Sequence, residues 1–233
     1  MALFDIATTA VEIGIALNVR LPNKLPGFQD VEDDVAREKF NQKWNCVIPP
    51  KNGWNLTEMF EAMERKELRA VFVIGENPAQ SEADGAHATH LLENLDFLVV
   101  QDLFLTKTAQ LADVVFPGSA SWCESDGTVT NSERRVQRVR KAINSPGNAH
   151  DDIQIILDLA REMGHDWKYE SSEQIWDELR SLSPMHAGMS YKRLAELGGI
   201  QWPCFSEDTL EPSFLHGRLW DKDPAKRGRL APF

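Results

Sequence analysis

Cysteine is scarce and unpaired in this chain. Cys46, Cys123 and Cys204 stand far apart, form no C-x-x-C pair and are odd in number. That spacing excludes a disulfide framework and any familiar cysteine-held metal cluster, and it fits a reducing, cytoplasmic compartment. His87, His90, His150, His165, His186 and His216 are scattered, without the spacing of a zinc-ligand set. A long hydrophobic run is missing too: nothing approaches the roughly 18–20 apolar residues that span a bilayer, so no membrane insertion is expected. The apolar N-terminal stretch carries Asp5 and Glu12 and no basic leader. It reads as a core helix rather than a signal peptide, with Leu3, Ile6, Ala7, Ala10, Ile13 and Leu17 at helical spacing. Positive charge is in deficit. Lys+Arg 25 against Asp+Glu 36 leave a net charge of −11, which opposes a general nucleic-acid coat or an anionic-membrane binder. The one basic stripe, Arg134 to Lys141, reads as a solvated strand face or a surface that meets another domain. Internal repeats and low-complexity tracts are absent as well.

What remains is an ordinary globular balance, 42% hydrophobic and 26% charged, in 233 residues, with room for one large or two small domains. The most informative stretch runs from Ala70 to Asp113. Three apolar, β-branched runs, AVFVIGENP, DFLVVQD and ADVVFPGS, each end in residues that turn or hydrogen-bond. Short apolar runs separated by helical segments predict buried parallel strands joined by crossovers. The expected succession is strand 70–74, helix 83–95, strand 97–100, a shorter helix 106–112 and strand 114–116, with right-handed crossovers. In such sheets ligands bind beyond the carboxyl ends of the strands, at a point where strand order reverses. Polar residues cluster at those ends here: Gly75 and Asn77, then Gln101 and Asp102, then Gly118 and Ser119.

The flanks carry their own signals. A helix is predicted near 33–44 with Val35, Phe40 and Trp44 as its buried side, and Asn55 with Glu58 reads as a capping box for the helix that follows. Leu56, Met59, Phe60 and Met63 then line one face. After Ser121, GTVT and RVQRV alternate polar with apolar and predict extended segments. Asp151-Asp152 opens an amphipathic helix with Ile153, Ile156, Leu157 and Ala160 inward and Gly164 as its stop. Two short helices, 171–182 and 190–197, precede a loop-rich tail. The fold expected is therefore α/β: a doubly wound, mainly parallel sheet with flanking helices and a helical, loop-rich C-terminal portion. The expected divisions are 1–53, helices and loops packing on the α/β lobe; 54–150, a dinucleotide-cofactor-binding lobe; and 151–233, a helical extension and tail.

Taken in order, GENP, LDFLVVQD, LTKTAQLADVVFP, DGTVTNSERRVQRVRKAI, IWDELRSL and GIQWPC resemble the large subunit of molybdenum- or tungsten-dependent formate dehydrogenases, within the molybdopterin oxidoreductase family. Each motif alone is weak, but the ordered series extends from Ala2 to about Leu219. The resemblance implies one lobe that helps hold a molybdopterin guanine dinucleotide. Carried over by motif, Gly75, Asn77, Ser81, Gln101, Asp102, Asp113 and Asp152 are the candidate cofactor contacts. Carboxylates can accept from guanine N–H groups or ribose hydroxyls, and amide and hydroxyl side chains supply mixed donors and acceptors. Each position also has a plain structural use. Asp113 and Asp152 suit caps, and Asn77-Pro78 suits a turn.

The sequence departs from the family's pattern too. Nothing matches its iron–sulfur cysteines, no Cys-His dipeptide supplies the metal ligand, and the barrel that closes over both pterins has no counterpart. The Gly-, Arg- and Asn-rich cofactor loop after Gly14 is nearly closed up in EIGIALNVRLPNKLPGF. No catalytic residue and no metal ligand are therefore assigned. The expected partners are the remaining domains or subunits of a formate dehydrogenase complex, in which formate becomes carbon dioxide with release of two electrons. Two alternatives follow from the departures. One is a naturally shortened, noncatalytic binding or assembly module. The other is an independent enzyme that uses the strand-end carboxylates on another nucleotide.

Overall fold

A computed structural model describes residues 22–208. The expected N-terminal helix over Leu3 to Leu17 and the tail after residue 208 lie outside the described residues. The described residues open with a two-residue ladder, β1 (Lys24–Leu25) against β2 (Gln29–Asp30), and then α1 (Asp34–Trp44). The Asp33 carboxylate accepts from the amides of Val35 and Ala36 and so caps this helix. Ala36 and Phe40, four apart, form its buried stripe, with Trp44 one turn further on. Val35, expected inside, is 81% exposed. One residue off an i, i+4 row is a rotation of about 100°, enough to leave the core.

α2 (Leu56–Glu64) carries the predicted capping box: Glu58 N donates to Asn55 Oδ1 at 3.0 Å, and Asn55 N donates to Glu58 Oε2 at 2.7 Å. Met63 is buried and Met59 and Phe60 are half-buried, while Leu56 in the first turn is exposed. β3 (Ala70–Ile74), β4 (Phe97–Asp102) and β5 (Val114–Pro117) then form a parallel sheet in that order, with Ile74 level with Gln101 and Gln101 level with Phe116. The crossover helix expected over 83–95 is α4 (Gly85–Glu93), started by Asp84 accepting from His87 N, and a short helix not expected, α3 (Pro78–Ser81), precedes it. The helix expected over 106–112 is a single 3₁₀ turn at Ala109–Leu111.

Alternation divides the sheet into two faces. Val73, Leu98 and Val100, joined by Val71, pack with Ala79, Leu92 and Ala109 from the crossovers. The other face presents Phe72, Val99 and Phe116, half-buried, with the rings of Phe72 and Phe116 6.2 Å apart. The three strands run in chain order without reversal, so they form no switch point among themselves.

β6 (Gly127–Thr130) and β7 (Arg135–Val139) pair antiparallel, and β8 (Ile200–Gln201) adds to β7. Between them come α5 (Asp152–Glu162), α6 (Ser172–Leu182), a 3₁₀ turn at Pro184–His186 and α7 (Tyr191–Leu197). Val136 packs with Trp176, Leu179, Met189, Leu194 and Ile200. The 127–139 hairpin therefore shares a core with the later helices. A further cluster joins Leu25, Val31, Ala36, Phe40 and Ile48 to Leu182. Trp44 Nε1 donates to Glu178 at 2.9 Å and Lys39 Nζ to Leu182 O at 2.6 Å. The described residues up to Ile48 thus share a core with the apolar end of α6. In the basic stripe, Arg138 binds Asp126 through both carboxylate oxygens and lies 3.3 Å over the Tyr191 ring, while Arg140 and Lys141 are exposed.

Candidate functional site

The carboxyl ends of β3, β4 and β5 lie side by side, because the parallel register brings Ile74, Gln101 and Phe116 level. Gly75 follows β3 with φ +62, the left-handed region that glycine adopts freely, and its amide donates to Gln101 O at 2.8 Å. Beyond it, the amides of Glu76 and Asn77 donate to nothing among the described residues. Asn77 Oδ1 accepts from the amide and the hydroxyl of Thr108 at 3.1 and 2.9 Å. Ser81 Oγ donates back to Asn77 O at 3.1 Å, one turn earlier.

Gln101 is 1% exposed. Its Nε2 donates to Asp152 Oδ1 at 2.6 Å, while its Oε1 is buried and has no hydrogen-bond partner. An ionised carboxylate can only accept, so the NH₂ end of the amide must face Asp152 and the oxygen must be the atom left over. Asp102 Oδ1 accepts from the amides of Leu103 and Phe104 at 2.6 and 3.3 Å, which turns the chain out of β4.

Asp152 is the first residue of α5 rather than its cap: Asp151 takes that role, accepting from Ile153 N at 2.9 Å. The Asp152 carboxylate is therefore free to reach across to β4. Burial pushes its pKa above the ordinary aspartate value; Asp151 and Asp102 push the same way, against the Gln101 hydrogen bond. Gly118 leaves β5 beside this pair. A Cβ there would lie 3.0 Å from Asp152 Oδ1 and 3.7 Å from Gln101 Cγ, so a larger residue would press the Asp152 carboxylate away from this position.

Asp113 is at the other end of the sheet. It precedes β5, and its Oδ2 accepts from Leu98 N at 2.7 Å, near the start of β4. The strand ends thus bring together Gly75, Gln101, Asp102 and Asp152, with Asn77 and Ser81 on the adjoining turn. Gly118, noted at the end of the third run, joins them, and so does Thr108, which was not singled out. Gly118 had a signal in Pro117-Gly118-Ser119; a lone buried threonine had none.

The chemistry of these ends is that of acceptors. Gln101 Oε1 is unpartnered, and Asp102 and Asp152 each use one carboxylate oxygen internally. Such a set suits a ligand edge rich in N–H or O–H donors, and it repels phosphate. Among the described residues no group of three or more His, Cys, Asp or Glu side chains is arranged to hold a metal ion. No described helix is long and apolar enough to cross a membrane.

A family model described as molybdopterin oxidoreductase matches residues 14–162. The F420-dependent formate dehydrogenase subunit alpha of Methanocaldococcus jannaschii is 44% identical over 214 residues, which is 91% of this chain and 31% of that protein. Formate dehydrogenase H of Escherichia coli is 40% identical over 185 residues, 79% of this chain and 26% of that one. The chain therefore spans about a third or less of these relatives. Acetylene hydratase from Pelobacter acetylenicus superposes with a TM-score of 0.53 at 23% identity, covering 78% of this chain and 25% of that structure, a likeness of fold.

Proposed function

Because this chain belongs to the molybdopterin oxidoreductase family, we propose that it is the molybdopterin guanine dinucleotide-binding portion of a formate dehydrogenase-like enzyme. The observation that carries the reading is the buried, unpartnered Oε1 of Gln101 at the strand ends, beside the Asp152 carboxylate. A buried carbonyl oxygen without a donor costs roughly 1–3 kcal/mol, and a ligand N–H or O–H would remove that cost. Guanine offers N1–H and N2–H donors on one edge, and its ribose offers hydroxyls. Gln101, Asp102 and Asp152 fit that end of the dinucleotide. The diphosphate would lie away from the acidic pair, toward the amides of Glu76 and Asn77, which donate to nothing among the described residues. Ser81 would hold the turn, and Asp113 would act through the sheet.

When bound in the complete protein, the pterin–metal group supplies the two-electron chemistry that takes formate to carbon dioxide and a proton. This chain would bind and orient the nucleotide end of that group. The metal ligand and the electron path would come from the remaining domains or subunits of the complex. In the whole protein, further strands on a free edge of the sheet would make it doubly wound. The test is a titration of the chain with GMP and GDP while backbone amides are followed. Shifts at Gly75, Gln101, Asp102 and Asp152 are expected, and a flat response there overturns the reading. The chain supplied with molybdenum cofactor and a dye acceptor is expected not to oxidise formate.

A further inference from the structure

We infer that Thr108 is a positioning residue for the nucleotide cradle, an inference that rests on the cofactor-binding reading above. Thr108 is 0% exposed and sits in the segment that leads from β4 to β5. Its amide and its hydroxyl both donate to Asn77 Oδ1, at 3.1 and 2.9 Å. Its hydroxyl accepts from Ala79 N at 3.1 Å. The proton count closes: one hydroxyl hydrogen goes to Asn77 and an oxygen lone pair receives Ala79. Three hydrogen bonds therefore tie the turn leaving β3 to the segment leaving β4.

The place of this latch gives it consequence. The β3–β4 ladder ends at Ile74 and Gln101, with one further bond from Gly75 N to Gln101 O. Beyond it, no backbone pairing fixes the distance between the two outgoing segments; the Thr108 side chain does. Asn77 Oδ1 already receives two donors, which uses both of its lone pairs, so that oxygen has no capacity for a ligand. Asn77 serves binding by holding the turn, and the open amides of Glu76 and Asn77 are held with it. Ala79 and Ala109 lie in the apolar cluster behind the latch with Val100, and the Thr108 hydroxyl itself is buried.

The test measures GDP affinity of the full chain for the unmodified protein, T108V and T108S, with unfolding midpoints alongside. Valine keeps the shape and removes the hydroxyl; serine keeps the hydroxyl. T108V is expected to bind GDP about tenfold more weakly, and T108S to come back within about twofold of the unmodified chain. A hydroxyl that serves stability alone would lower the T108V midpoint and leave GDP affinity unchanged, and that result overturns the positioning role by itself. Should T108V not fold, T108A is read the same way. If the unmodified chain takes up neither GMP nor GDP, the cofactor-binding reading falls and the positioning role falls with it.

Discussion

The Gln101 side-chain amide donates to Asp152 Oδ1 across 2.6 Å, joining the penultimate residue of β4 to the first residue of α5, 51 residues later. That single bond decides which end of the Gln101 amide is left for a ligand. It also holds a carboxylate where burial disfavours its charge.

Asp152→Asn separates these two effects. The folded-state pKa of Asp152 is raised, so the folded chain holds this proton more readily than the unfolded one. The ionised group therefore costs stability at neutral pH, and the cost fades as pH falls through the raised value. The variant is expected to melt at or above the unmodified temperature at pH 7, by calorimetry, while GDP affinity falls about tenfold. A clear loss of melting temperature would contradict this sign.

Asp113→Ala is expected to do the reverse. It removes the acceptor for Leu98 N, at the sheet end remote from Gln101. Chemical denaturation should show a loss of about 1–2 kcal/mol. GDP affinity of the folded variant should be unchanged; a tenfold loss would restore Asp113 to the contact set.

His186 sets an acid limit on the second core. It is fully buried against Trp176 and Trp202, with Ser183 Oγ 2.7 Å from Nδ1 and with Nε2 unpartnered in either tautomer. Burial lowers its pKa from 6.5 to about 4. The unfolded chain then binds more protons than the folded one between these values. Stability is complete above about pH 6.5 and declines as pH falls toward 4, by up to about 3 kcal/mol. Urea melts across this range should show that slope, and His186→Phe should flatten it.

Asn55→Ala tests the capping box. Both of its hydrogen bonds depend on this residue's side chain or on the geometry it sets. A loss of about 1 kcal/mol in urea melts is expected, with GDP affinity unchanged.

The strands expected at 70–74, 97–100 and 114–116 were legible because buried parallel strands must be apolar on both faces, which leaves a continuous run; the polar Gln101 and Asp102 and the turn-forming Pro117 hid the last residues of the second and third. Asn55 and Glu58 announced a helix start through local chemistry alone. α5 was legible as a helix, but Ile155 is buried where Ile153 was expected, since the stripe depends on what the helix packs against. α4 starts at the Asp84 carboxylate, close to where its pattern begins, whereas the four-residue α3 behind Asn77-Pro78 is too short to leave a periodic signal. The site divides in the same way. Gln101 and Asp102 could be found from their place at a strand end. Gln101 finding Asp152, or Thr108 finding Asn77, depends on contacts 51 and 31 residues apart, which no local pattern encodes.

The core around Phe40 closes on Leu182, and Val136 closes on Trp176 and Ile200, whereas Val73, Leu98, Val100 and Ala109 are all present once residue 109 is made. On a ribosome, the sheet can consolidate while the segment before it still lacks its counterpart. Among the described residues, Phe40, Val31 and Ile48 have only Leu25, Ala36 and Trp44 as core neighbours until Leu182 arrives, more than a hundred residues later in translation. That interval, rather than the finished molecule, is when this chain most needs a chaperone's protection.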